Sequence, residues 1–299
     1  MNKAVKKPPT PIRTQGASSI KTLTSDERAD IAMRQLQSLK VQWEESPIEK
    51  AFRGLIVGMK GTGKTYSLLT LPRPLLIDVF DPDGLSSIED DNGNLPEGIY
   101  ANRFYPESRE KPTQFAKWLR SFRENEKNKL FEHLGAYVID SSTNWLVSLI
   151  WKITADRVGA GRKRPNFLPA IDDWNQQKLE AIDLTMRFMS LPCSFVTTGH
   201  LVKDFIVKVD KNGQEVSRTK EYNILIGPKA GANLLTLYSD SYIAEYDAVT
   251  NKYYWRTTYE REGKRASSRL SQGGKLNPVE PQDFKALFKK VGVDYKDKT

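Results

Sequence analysis

Gly58-Met59-Lys60-Gly61-Thr62-Gly63-Lys64-Thr65 follows the apolar run Leu55-Ile56-Val57 and precedes a helical pattern that extends to Leu71. The stretch fits G-x-x-x-x-G-K-[ST] in full, in the strand-before, helix-after context that this pattern requires. Backbone N–H groups of a glycine-rich turn converge on phosphate oxygens. The helix that starts there adds the positive end of its dipole. Gly58, Gly61 and Gly63 permit backbone angles and a close approach that side chains would block. Lys64 is expected to reach the β- and γ-phosphates, and the Thr65 hydroxyl to meet Mg²⁺. Met59, Lys60, Thr62 and Tyr66 complete the expected ATP-binding set.

Three further short apolar runs lie downstream: Leu75-Leu76-Ile77-Asp78-Val79, Ala136-Tyr137-Val138-Ile139-Asp140 and Ser194-Phe195-Val196-Thr197-Thr198. Each is apolar and rich in β-branched residues, as buried parallel strands are. Helical patterns cover 63–71, 113–130, 144–158 and 172–190. The alternation predicts an α/β fold, a doubly wound, mostly parallel sheet with helices on both faces. After His200 the texture changes. Asn212-Gly213 between two alternating runs predicts a hairpin. Strands are expected over 240–246 and 253–259, a loop over 263–281 and a last helix over 281–291. These make a C-terminal antiparallel β extension.

The expected organisation is a disordered basic tail (1–23), an N-terminal helix and linker (24–49), the core (50–275) and a C-terminal helix and tail (276–299). Thr24 and Glu27 have the spacing of a capping box, opening a helix to about Val41. With 46 Lys and Arg against 37 Asp and Glu, the 299 residues carry a formal +9. Residues 1–21 hold five Lys or Arg and no acid, which leaves only +4 for the rest. Overall charge is therefore a weak argument for nucleic acid. The single Cys, Cys193, excludes a disulfide framework. No apolar run approaches the length of a membrane helix, and cytoplasmic residence is the expectation.

A nucleotide site needs a metal anchor. Asp140, at the carboxyl end of a buried strand, is the expected second holder of Mg²⁺ beside Thr65. Hydrolysis needs an acid that orients water, and Asp78, Asp81 and Asp83 lie on or just after the second strand. Asp81 and Asp83 are the preferred pair, although Asp81-Pro82-Asp83-Gly84 also reads as an ordinary turn. Thr198 and His200 end the fourth strand, where a polar group can touch the γ-phosphate and report it to the next loop. For DNA, Arg157, Arg162, Lys163 and Arg164 form a Gly-interspersed basic loop. Lys203, Lys208, Lys211, Arg218 and Lys220 fall in the hairpin region, and Phe167 or Phe205 could stack on a base.

The loop at 58–65, the strand with its Asp140-Ser141-Ser142 ending and the Thr198-Gly199-His200 ending together resemble the phage RecA-like ATPases. That group of phage nucleotide-binding proteins, or AAA-type ATPases, acts in recombination and single-strand annealing. The resemblance covers about residues 50–275, and the phosphate loop is its most specific part. It implies a RecA-like ATPase that uses ATP and Mg²⁺ and binds single-stranded DNA. It also implies a homo-oligomer, ring or filament, a single-strand-binding protein as a further partner, and no membrane. ATP would sit between subunits, with a basic residue of the neighbour completing the site. Arg265 and Arg269 are the first candidates, then Lys264, Lys229 and Arg256. The family tends to place one acid followed by Gly soon after the second strand. Here the segment holds Asp78, Asp81 and Asp83 before Gly84, so the water-orienting acid is not unique. The alternative function is a nucleotide-switched oligomeric loader or scaffold with little DNA-stimulated hydrolysis.

Overall fold

The computed structural model describes residues 24–45, 51–105, 108–161, 167–209, 215–224, 237–258, 266–293, 295 and 297–298. Two compact units result, Met1–Ser46 and Pro47–Thr299. The described part of the first is helix α1, Ser25–Glu45. Its start is a reciprocal cap: Thr24 N–H donates to Glu27 Oε2 at 2.8 Å and Glu27 N–H to Thr24 Oγ1 at 3.2 Å.

The second unit is built on a mostly parallel sheet. Six strands run parallel in the order β7 (Asp240–Asp247), β1 (Arg53–Gly58), β5 (Ser194–Val209), β4 (Ala136–Asp140), β2 (Leu75–Val79), β3 (Ile99–Arg103). Antiparallel strands extend it: β8 (Lys252–Arg256) on β7, β10 (Val279–Pro281) on β8, β9 (Ser267–Ser268) on β7 and β6 (Glu215–Ile224) on β5. Strands β1, β2 and β4 are buried along their whole length, which is why they read as unbroken apolar runs.

Two apolar layers clamp the sheet. On one side lie α3 (Gln114–Lys127), α4 (Ser142–Gly159) and α5 (Ile171–Met189). Their aromatic residues meet around Trp118, whose ring stands 5.1–6.1 Å from those of Phe80, Phe115, Phe122, Trp145 and Phe188. The other layer joins Leu68 and Leu71, which follow the short helix α2 (Lys64–Ser67), to α7 (Phe284–Val291). Between β9 and β10 sits one further turn of helix, α6 (Arg269–Gln272). Arg53 is buried at the foot of β1 and donates to the carbonyls of Phe52, Met189, Leu191 and Cys193. A fixed cation thus meets carbonyls at and just beyond the C-terminus of α5, where the helix dipole favours it.

Four expectations need correction. The segment 263–281 is not one loop: it holds β9, α6 and β10. The fourth strand does not end at Thr198-Gly199-His200 but runs on to Val209, because β6 pairs with it from Leu201 to Val209. The helix expected over 63–71 is one α-turn followed by a 3₁₀ turn, Leu68–Thr70. Strand β3 was not foreseen. It is a half-exposed edge strand of mixed polarity, and pairing with β2 is what makes it a strand. The Asn212-Gly213 turn lies outside the described residues.

Asp78 carries a consequence of this packing. It points into the aromatic layer and accepts from Tyr137 OH at 2.6 Å, Trp118 Nε1 at 2.9 Å and Asn102 Nδ2 at 3.0 Å. Burial pushes its carboxyl up to about 6 against the pull of those three donors. A folded-state value above the unfolded one means stability present below about pH 4 and lost as pH rises through 6. The expected loss is about 3 kcal/mol. Asp78→Asn removes this dependence, so urea unfolding should show the variant gaining about that much relative to wild type between pH 4 and pH 8.

Candidate active site

The carboxyl ends of the parallel strands converge on one cleft of about 700 Å³, lined by residues 60–66, Asp81 to Gly84, Asp140, Asn144, His200 and Tyr253 among others. Register brings them together. Gly58 stands beside His200 and Val79 beside Asp140. The chain leaving β2 is held there by Asp140, whose carbonyl accepts from Phe80 N–H at 2.6 Å and Asp81 N–H at 3.3 Å. Ligands of open α/β sheets sit at this end.

Within the loop, Gly61 and Gly63 both have φ of +80°. A side chain at Gly63 would also collide, its Cβ lying 2.7 Å from Tyr253 Cδ1 and 2.8 Å from Gln282 Oε1. At Gly58 a Cβ would meet Thr62 Oγ1 at 2.5 Å and Ala244 O at 2.7 Å. The Thr62 hydroxyl donates to Met59 O at 2.8 Å and braces the turn. Lys64 is buried, its Nζ donating to Gly58 O at 3.0 Å and Met59 O at 2.8 Å. Burial lowers its pKa, opposed by the negative charges of Asp140 and Asp81.

Across the intervening strand β5, Thr65 Oγ1 donates to Asp140 Oδ2 at 2.9 Å, while the Thr198 hydroxyl donates to Asp140 Oδ1. Burial raises the Asp140 carboxyl, and those hydroxyls and Lys64 pull it back. Two hard oxygen donors side by side suit Mg²⁺, which takes few protein ligands and shares its shell with substrate phosphates. Among the described residues no group of three His, Cys, Asp or Glu could hold a metal ion unaided. Thr65 and Asp140 are therefore the residues that would hold Mg²⁺, which there would offset phosphate charge.

Asp81 lies beside them. Its Oδ1 accepts from Asn144 Nδ2 at 2.5 Å and Ser141 Oγ at 2.7 Å, and its Oδ2 meets His200 Nε2 at 2.8 Å. Burial would raise this carboxyl, but the contact and charge of His200 and the bonds from Ser141 and Asn144 outweigh it and hold it low. The N-terminus of the 18-residue helix α4 faces it as well, which favours the anion. Asp83 is exposed at the lip of the cleft with φ of 61°, its carbonyl closing a turn onto Ser86.

The remaining candidates lie elsewhere. Arg157 is paired to Asp173 at 2.9 Å and donates to Leu168 O at 3.1 Å. Arg162, Lys163, Arg164, Lys229, Lys264 and Arg265 are outside the described residues. Lys203 and Lys208 fall on β5 beyond the cleft. Arg256 is paired to Glu245 at 2.8 Å. Arg269 is exposed at the opposite end of the sheet: Asp240, beside Gly54 at the foot of β1, pairs with Ser268. Asn144, Tyr253 and Gln282 were missed. Nothing in their local pattern marks them, because they reach the site only through packing.

A family model described as an AAA domain matches residues 50–266. The chain belongs to this family. It carries a P-loop ATPase domain of the AAA type, and Lys64, Thr65 and Asp140 line one cleft of that domain. None of the curated proteins matches the sequence. One solved structure, a prototypical ATPase from the type III secretion system of pathogenic bacteria, is similar with a TM-score of 0.37 at 10% identity. The match covers 79% of this chain and 59% of that one, so this chain spans less than two thirds of that ATPase. No helix among the described residues is long and apolar enough to cross a membrane.

Gly63→Ala should weaken nucleotide binding at least about tenfold. The positive φ alone costs about 1–2 kcal/mol, and the methyl group must displace Tyr253 or Gln282. Asp140→Asn should abolish the dependence of ATP affinity on Mg²⁺. Titration of a fluorescent ATP analogue with and without Mg²⁺ checks both.

Proposed function

We propose that this ATPase binds single-stranded DNA and couples that binding to ATP hydrolysis in recombination or strand annealing of the phage type. The observation that carries the reading is the continuity of β5. The strand is buried in the sheet between β1 and β4, places Thr198 on Asp140 and His200 on Asp81, and continues without a break to Val209. It then pairs with β6 as an antiparallel ribbon whose sequence includes Lys203, Lys208, Arg218 and Lys220. Nine residues beyond His200 extend about 30 Å at about 3.3 Å per residue. One strand thus runs from the His200 end of the cleft into a ribbon whose sequence is basic, a connection by which DNA and nucleotide could report on each other.

In this reading Lys64 takes the β- and γ-phosphates, and Thr65 and Asp140 hold Mg²⁺. Asp81 orients the attacking water. Kept ionised by three donors, it accepts a hydrogen bond without having to be a strong base, which phosphoryl transfer does not demand. His200 ties Asp81 to β5. Arg269 is remote from its own chain's cleft, so its part would be to act on a neighbour's nucleotide, as would that of Arg265, four residues before it. The working species would then be a homo-oligomer. The same engagement of Asp81 favours a second reading, a nucleotide-switched loader or scaffold with slow turnover, since a carboxylate held by three partners is a weak base.

ATP hydrolysis measured without DNA, with single-stranded DNA and with duplex DNA separates the two readings, with Lys64→Ala as the blank. Stimulation by single-stranded DNA alone is expected. Turnover indifferent to DNA would move the assignment to the scaffold. Asp81→Asn should lower kcat about 100-fold or more, whereas Asp83→Asn should stay within about threefold of wild type.

A further inference from the structure

Gln282 lies between β10 and α7, beyond the residues that the AAA-domain family model matches. Its side chain nevertheless reaches the phosphate loop. Gln282 Nε2 donates to Thr62 O at 2.9 Å, Tyr254 O at 3.0 Å and Glu245 O at 3.4 Å. One amide therefore joins the crest of the loop to β8 and β7. Its Oε1 is buried, has no hydrogen-bond partner among the described residues and packs against Gly63.

We propose that Gln282 is a positioning residue for nucleotide binding, which aims the Gly63 N–H at the phosphate group by holding the carbonyl of Thr62. The argument is geometric. The peptide joining Thr62 to Gly63 is planar and trans, so its C=O and N–H point in opposite directions. Fixing the Thr62 carbonyl on the Gln282 side turns the Gly63 N–H away from Gln282, toward the cleft that Gly63 lines. In free solution a glycine at this point could rotate the plane, since glycine populates both signs of φ. The orphaned Oε1 and the ring of Tyr253 occupy the space beside Gly63 and oppose that rotation.

Gln282 is itself held on both sides. Pro281 pairs with Tyr254, and Phe284 N–H donates to Thr70 Oγ1 at 2.9 Å, just after the helix that the loop feeds. The Phe284 ring is buried against Trp255, centroids 4.6 Å apart. Asp283 caps α7 by accepting from Ala286 N–H at 2.9 Å. The C-terminal segment is thus the rigid support of one phosphate-binding donor, and nucleotide should in turn strengthen the docking of that segment.

The test uses the full-length chain with Gln282→Met, which keeps length and removes the donor, and Gln282→Glu, which turns carboxylate oxygens toward three carbonyls. Binding of ATP and ADP, the split between KM and kcat, and Tm without nucleotide are measured, with Lys64→Ala as the control. Isotope-labelled glycine lets NMR follow the Gly63 N–H on ADP addition. The expected result is a rise of about tenfold in Kd and KM for Gln282→Met, larger for Gln282→Glu, with kcat falling far less and the ADP-induced shift of the Gly63 N–H reduced. Lowered Tm with unchanged Kd and an unchanged Gly63 response would make Gln282 merely structural and overturn the proposal. If wild type itself fails to bind ATP, the nucleotide site falls, and this role falls with it.

Discussion

The hydrogen bond from Thr65 to Asp140 is the interaction on which the rest of the structure depends. It closes a gap of one strand, because β5 stands between the strand that feeds the phosphate loop and the strand that ends in Asp140. It forms only if β1, β5 and β4 are parallel and in register, with their carboxyl ends level. A buried carboxylate is costly unless paired and hydrogen-bonded. Here the hydroxyls of Thr65 and Thr198 and the charge of Lys64 offset part of that cost, Lys64 and Thr65 arriving from α2 and Thr198 from β5. The site is therefore also a check on the assembly of the sheet.

Asp78 and Asp81 show how the same residue type takes opposite roles three positions apart. Asp78 lies within β2 and is caged by Trp118, Tyr137 and Asn102, a polar joint inside an apolar layer. Asp81 lies past the strand's end, beside the N-terminus of α4, and its donors favour the charged form. Burial dominates the first; in the second the contact and charge of His200 and the bonds from Ser141 and Asn144 together outweigh it. The difference comes from what the end of β2 packs against, since both acids share one short segment.

Much of the core was legible from periodicity. The apolar runs at 55–57, 75–79, 136–140 and 194–198 are strands, and the helices expected over 113–130, 144–158 and 172–190 were placed to within a few residues. Buried parallel strands and amphipathic helices advertise themselves because burial constrains every residue or every third and fourth. Edge strand β3 and the short elements between 266 and 281 did not. Their residues are half exposed or few in number, and pairing with neighbours defines them. The phosphate loop was legible residue by residue, because backbone geometry restricts which residues can occupy it. Asp140 was legible from its place at a strand's end.

By itself the sequence determined the phosphate loop, the alternating α/β architecture and Asp140, since each rests on local patterns of glycine, burial and strand termini. Only the tertiary structure set Asp81 inside the cleft while leaving Asp83 exposed at its lip, joined Asp81 to His200, and brought Asn144, Tyr253 and Gln282 to the same place. Those choices join residues up to 220 positions apart. Strand order and register set such contacts, and no local pattern encodes them.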